Sequence, residues 1–196
     1  MSAEAIFHVT QALRARLQQA VTAAGDPGTI FVGPLDDPDA QGASLILFLY
    51  RITPNASLRN REHRVPSDNP PPPVIVFKNS LPLDLYYLVS VGTRPASSEE
   101  PLLRTLGFAM RALNQEPDLV GTLVGHETVH VSFEPLTTEE ASRIWALFPT
   151  ANYRTSIAYL VTPVWIDPPQ PQPQAIRVLE DNLMAGQKAR EVENHV

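Results

Sequence analysis

The 196-residue chain contains no cysteine. That removes disulfides and thiolate metal sites, and it fits a reducing compartment. Lysine is almost missing as well: Lys78 and Lys188 are the only two, so nearly all of the 15 basic side chains are arginines. Arginine favours bidentate contacts at protein interfaces, although an arginine-rich genome would produce the same count. Basic charge is in deficit overall. With 21 acidic residues the net charge is −6 and the pI about 5.3, opposite in sign to a broad nucleic-acid-binding surface. No apolar run approaches the roughly 20 residues that cross a bilayer, and the longest, Leu45 to Tyr50, is strand-sized. No stable membrane association is therefore expected. The first residues lack a charged stretch followed by an apolar one, so no secretory signal is expected, and Asn55-Ala56-Ser57 carries little weight as a glycosylation acceptor. There is no G-x-S-x-G elbow, no Walker loop and no G-x-G-x-x-G. No cofactor is expected.

Proline, in contrast, is abundant, with 20 residues, and it clusters at Pro70 to Pro73 and Pro168 to Pro173. Such runs form stiff, polyproline-like connectors between periodic segments. The remaining composition, 43% hydrophobic and 18% charged, is that of a globular domain with a core of its own.

Hydrophobic spacing supplies the elements. Ile6, Val9, Leu13, Leu17 and Val21 recur at three- and four-residue steps, which predicts a helix over 5–23, closed by Gly25 to Gly28. A short strand at 29–32 and a loop from Gly33 to Gly42 follow. Asp36, Asp37 and Asp39 in that loop lack the spacing of a calcium loop, so a solvated turn is the expectation. Over 44–52, Leu45, Leu47 and Leu49 oppose Ile46, Phe48, Tyr50 and Ile52. Both faces are apolar, which predicts a strand covered on both sides. Residues 53–73 form a long polar segment, expected as a loop. A second central strand is predicted over 83–91.

Ser97 and Glu100 match a capping box opening a helix whose apolar face carries Leu102, Leu103, Leu106, Ala109, Met110 and Leu113. Residues 128–134 alternate as a strand, with Val129, Val131 and Phe133 on one side. Thr137 and Glu140 form a second capping box, before a short helix ending on Ile144, Trp145, Leu147 and Phe148. The last strand is predicted over 156–166. Tyr86, Tyr87 and Trp145 are expected in the core, the tyrosine hydroxyls at its edge. Beyond the proline–glutamine stretch, Ile176, Leu179 and Leu183 keep helical spacing on a polar background. Such a helix either folds back or docks on a partner, and the stiff tether favours the partner. The order of elements predicts an α/β or α+β fold: a mixed β-sheet flanked by about three helices, with a proline-tethered C-terminal helix. The expected division is a domain over 1–167, a linker over 168–174 and an amphipathic tail over 175–196.

One motif points to chemistry. His126-Glu127-Thr128-Val129-His130 matches H-E-x-x-H, in which a helix sets two imidazoles on one face to share a zinc ion. Here Gly121 and Gly125 precede the motif, and the residues after it alternate as in a strand. Positions four apart on a strand lie roughly 13 Å from each other. No metal site is expected, and a zinc hydrolase through His126, Glu127 and His130 is the least favoured alternative.

Four stretches taken together carry a resemblance: Leu47 to Asn60 (LFLYRITPNASLRN), Leu81 to Leu88 (LPLDLYYL), Ser142 to Leu147 (SRIWAL) and Tyr153 to Tyr159 (YRTSIAY). In order and spacing they resemble the N-terminal domain of the cap, or tail-terminator, proteins of phage-tail-like extracellular contractile injection systems. The resemblance covers nearly all of residues 1–167. It implies a tail-terminator-like fold and a structural role without catalysis. Such proteins form a ring, usually a hexamer, on the distal end of the inner tube and its contractile sheath, where they end assembly and hold the last sheath ring. The implied partners are copies of the chain itself and the tube and sheath subunits. The implied location is the cytoplasm of the producing bacterium, then the assembled particle. A baseplate or adaptor subunit of the same particle is the alternative. In a ring, Arg51, Asn55, Arg59, Asn60, Arg61 and Arg64 would be candidate interface residues, as would Ile176, Leu179 and Leu183 of the tail. A solvated loop is the competing expectation for the arginine segment.

Overall fold

The computed structural model describes residues 2–66, 74–93 and 99–171. Helix α1 (Ala5–Ala23) follows its predicted bounds. Val9, Leu13, Leu17 and Val21 are fully buried, and burial of each such side chain contributes about 1.5–3 kcal/mol. Gly25, at φ 73°, stops the helix in a conformation that suits glycine. Asp26 then gathers neighbouring segments: one carboxylate oxygen accepts from Ser44 Oγ at 2.7 Å and from the Gly28 amide, the other from Thr105 Oγ1 at 2.8 Å.

The strands are β1 (Thr29–Val32), β2 (Ala43–Pro54), β3 (His63–Pro66), β4 (Val74–Phe77), β5 (Leu81–Val91), β6 (Asp118–Leu119), β7 (Val129–Glu134) and β8 (Ser156–Ile166). Six of them form one sheet in the order β1-β2-β5-β8-β7-β6, while β3 and β4 pair separately. β1 runs parallel to β2 and the other pairs are antiparallel, so the sheet is mixed, as expected. Helices α1 and α2 (Glu100–Gln115) cover one face through a core that includes Leu45, Leu47, Leu85, Tyr87, Val89 and Val161. The other face meets α3 (Thr138–Trp145) and the loop before β2, where Ile46, Leu88, Trp145, Phe148 and Ala158 cluster. The central stretch of β2 is thus covered on both sides.

Several expectations need correction. The segment 53–73 is not one long loop: β2 continues to Pro54, and His63–Pro66 pairs antiparallel with Val74–Phe77. β3 (HRVP) carries too few apolar residues to show a strand pattern, β4 (VIVF) is only four residues long, and residues 67–73 lie outside the described ones. Ile52 does not share a face with Ile46 and Phe48. A bulge between Leu49 and Arg51 sets Arg51 opposite Tyr86 and Ile52 opposite the core residue Leu85. On α2, Leu103 and Met110 are 43% and 41% exposed, with Thr105 buried instead. Phe133 is 59% exposed because β7 runs on past the cover of α2, and Leu147 is 64% exposed. Tyr87 Oη is not at the core's edge. It is buried against Thr10 Oγ1 at 2.7 Å, and burial pushes its pKa to about 12.

The capping box of α3 forms as expected. Thr137 Oγ1 accepts from the Glu140 amide at 3.2 Å, and Glu140 accepts from the Thr137 amide at 2.9 Å. Trp145 is buried and donates from Nε1 to Ser156 Oγ at 3.3 Å. Ser97 of the other predicted box lies outside the described residues, as do Ile176, Leu179 and Leu183.

Candidate interaction surface

The chain leaves the sheet at Pro54 and turns at once. Asn55 holds the turn: its Oδ1 accepts from the Ser57 and Leu58 amides at 3.1 and 3.0 Å, and its Nδ2 donates to Asp84 Oδ1 at 2.8 Å. Asn55 is therefore a positioning residue of the turn, since its polar atoms are engaged within the chain. The Arg59 amide donates to the Asn55 carbonyl at 3.0 Å, and the Arg61 amide to that of Leu58 at 2.9 Å. These bonds fix the backbone and leave the side chains of Arg59, Asn60 and Arg61 exposed. Among the described residues, neither Arg59 nor Arg61 has an ion pair. Arg64 pairs with Glu62 at 3.3 Å on the surface, a contact worth about 0–1 kcal/mol. Arg51 stands apart from this turn. It projects from β2 over the Tyr86 ring, 3.7 Å from its centroid. Tyr86 lies half-buried on that face, and not in the core with Tyr87.

A buried charge cluster, absent from the sequence expectations, fastens the hairpin that follows. His63, the first residue of β3, directs Nδ1 to Asp167 Oδ1 at 2.8 Å and Nε2 to Glu127 Oε2 at 3.1 Å. The three side chains are only 7%, 4% and 14% exposed. Asp167 also accepts from Ser80 Oγ at 2.6 Å. The imidazole lies flat on Trp165, with centroids 4.5 Å apart and planes 9° from parallel. Burial alone would lower the His63 pKa, but the hydrogen bonds to Glu127 and Asp167 outweigh it and raise the value above 6.5. Burial would likewise raise the Asp167 pKa, and the bonds it accepts from Ser80 and His63 help hold it below 3.8. The result is an imidazole clamped between two carboxylates, which favour its charged form. It joins the hairpin, the turn before β7 and the end of β8.

This cluster also explains the H-E-x-x-H match. Gly125 and His126 both lie in the left-handed region, at φ 65° and 60°, so no helix forms there. His130 sits on β7 and bonds Asp118 at 2.8 Å, whereas Glu127 turns inward to His63. The zinc-hydrolase alternative loses the shared helical face it needs. His63, Glu127 and Asp167 each offer an atom a cation could take, all within 4.8 Å of one another. The two carboxylates, however, approach opposite ring nitrogens, so an ion could replace only one of the two hydrogen bonds. As it stands, the cluster is a structural clamp.

A mixed sheet between two helical layers, with a separate hairpin at one end, is the fold of tube terminators. Two solved structures share it. One is the PVC sheath/tube terminator in the extended state, from an extracellular contractile injection system: TM-score 0.63, 18% identity, 94% of this chain and 64% of that one. The other is the tube terminating cap of the anti-feeding prophage: TM-score 0.60, 19% identity, 89% of this chain and 60% of that one. This chain belongs to the Pvc16 N-terminal domain family, whose model matches residues 8–180. It spans less than two thirds of the length of both terminators. No curated protein matches it.

Proposed function

We propose that the protein is a structural cap, or tail terminator, of a phage-tail-like contractile injection particle. It forms a ring, most simply a hexamer, on the distal end of the inner tube and sheath, ends their growth and anchors the last sheath ring. It performs no catalysis. The observation that carries this reading is the family match over residues 8–180, joined to the fold shared with two terminators. The surface supports it: an exposed arginine turn set rigidly on a buried clamp suits docking to protein. We assign Arg51, Arg59, Asn60, Arg61 and Arg64 to contacts with ring neighbours or the tube end, with Asn55 shaping the turn. Residues 1–167 would form the ring domain, 168–174 a spacer, and 175–196, with Ile176, Leu179 and Leu183, a contact to the sheath. The protein would work in the producing cell's cytoplasm and leave as part of the particle.

Deletion of the gene tests this. The expected result is tubes of uncontrolled length, corrected when the full chain is supplied. Tubes of normal length without the protein would overturn the reading, and a label at the baseplate would move it to the adaptor alternative.

A further inference from the structure

The two ends of β2 carry opposite charge. The loop that enters the strand holds Asp36, Asp37 and Asp39, and the turn that leaves it holds Arg59 and Arg61. Eleven steps of about 3.3 Å, roughly 36 Å of strand, separate Ala43 from Pro54, so the two groups lie at opposite ends of β2 and do not meet within one molecule. The entering end is also concave. Asp36 and Asp37 line a cleft together with Thr150, Asn152 and Arg154, where Asp36 accepts from Thr150 Oγ1 at 3.4 Å and Asp37 from the Asp39 amide at 2.9 Å, each carboxylate keeping a second oxygen for a further partner. The cleft's wall is braced: Arg154 Nη1 donates to the Gly92 carbonyl at 2.6 Å, and Thr93 Oγ1 donates to that of Ala40. The leaving end is an exposed turn. Its arginines project from a turn whose backbone is fixed by Asn55, and exposed Ile52 and Leu81 flank it, each 45% accessible.

We infer that the Arg59-Asn60-Arg61 turn of one copy seats in the Asp36–Asp37 cleft of the next. The occupant is a second copy of this chain, because the cleft at one end and the exposed turn at the other carry opposite charge, while a single chain cannot bring them together. A contact between two different patches is head-to-tail, and it closes into a ring when the rotation per subunit allows. This rests on the ring reading above and names the two surfaces of its subunit contact. Among the described residues, Arg154 is the one basic group lining the cleft, and its bond to Gly92 turns it toward the backbone. Glu62 and Arg64 pair with each other beside the turn, leaving Arg59 and Arg61 to make the contact.

Charge reversal tests the contact. The full chain is examined by light scattering and electron microscopy as wild type, as Arg59→Glu/Arg61→Glu, as Asp36→Arg/Asp37→Arg, and as the four changes combined. Each pair alone is expected to weaken self-association by roughly tenfold or more, and the combination to recover it, because opposite charges again face across every contact. Arg59→Ala/Arg61→Ala serves if a reversal disturbs folding; both side chains are exposed, so the fold should persist while association weakens. Unchanged rings from either folded reversal, or no recovery in the folded combination, would overturn the inference. If those variants ring normally and still cap tubes, the subunit contact alone is wrong. If the wild type neither associates nor binds tube ends, the cap reading falls with it.

Discussion

The face of the sheet under α1 and α2 and the end of the sheet at the hairpin are held by different means. Under the helices, Leu13, Leu17, Leu45, Leu85 and Val89 are fully buried and contact mainly apolar neighbours. At the hairpin, an imidazole, two carboxylates and a serine hydroxyl form a hydrogen-bonded cluster that rests on Trp165. Apolar burial is non-directional and independent of pH, so the first region supplies stability. The clamp works only in one geometry and one protonation state. It contributes less net stability than a greasy core of the same volume, but it fixes where the hairpin and the arginine turn before it point.

Core truncation is the largest way to break this contrast. Leu85→Ala should cost about 2–5 kcal/mol and lower the melting temperature of the whole domain, as a chemical denaturation series would show. Asp167→Ala comes next. It leaves His63 buried with one partner, and a loss of about 2–4 kcal/mol is expected. Hydrogen exchange should then show β3 and β4 opening ahead of α1, and simultaneous opening would mean the two regions are one unit.

The pH dependence sharpens the contrast further. His63 has a raised pKa, so its contribution is complete below 6.5 and is lost as pH rises through the folded value. Asp167 has a lowered pKa, so its contribution is complete above 3.8 and is lost as pH falls through the folded value. The clamp is therefore strongest between 3.8 and 6.5. Thermal melts of the wild type and of His63→Gln should differ most there and converge as the pH rises through the folded His63 value. Thr137→Ala, which removes the α3 cap, should cost about 1 kcal/mol in the upper part of that range and less as the pH falls and Glu140, whose pKa the Thr137 bonds lower, takes up its proton. Arg64→Ala is expected to change stability by less than about 0.5 kcal/mol.

The two regions were also unequally legible in the sequence. The helix over 5–23 and the strand over 156–166 follow from apolar spacing alone, and both match the structure in their bounds. The same logic misplaced Ile52, because a bulge costs one residue of register and leaves no mark in the hydrophobic pattern. It missed β3 and β4, which are four residues each, β3 being held through a charge cluster at His63. His63, Glu127 and Asp167 are 64 and 40 residues apart in the chain, and no spacing rule joins them. Glu127 was in view as part of H-E-x-x-H, but its partner proved to be neither histidine of the motif. The exposure of Arg59 and Arg61 was foreseeable from their polarity, whereas the Asn55 turn that presents them needed the structure. The family resemblance came from the LYR…LRN and LDLYYL stretches, which here form β2 with its exit turn and the centre of β5.

The most direct test of the account is the position of the labelled chain on assembled particles by electron microscopy. The account predicts a single ring of label at the tube end far from the baseplate, and label at the baseplate or along the sheath would contradict it.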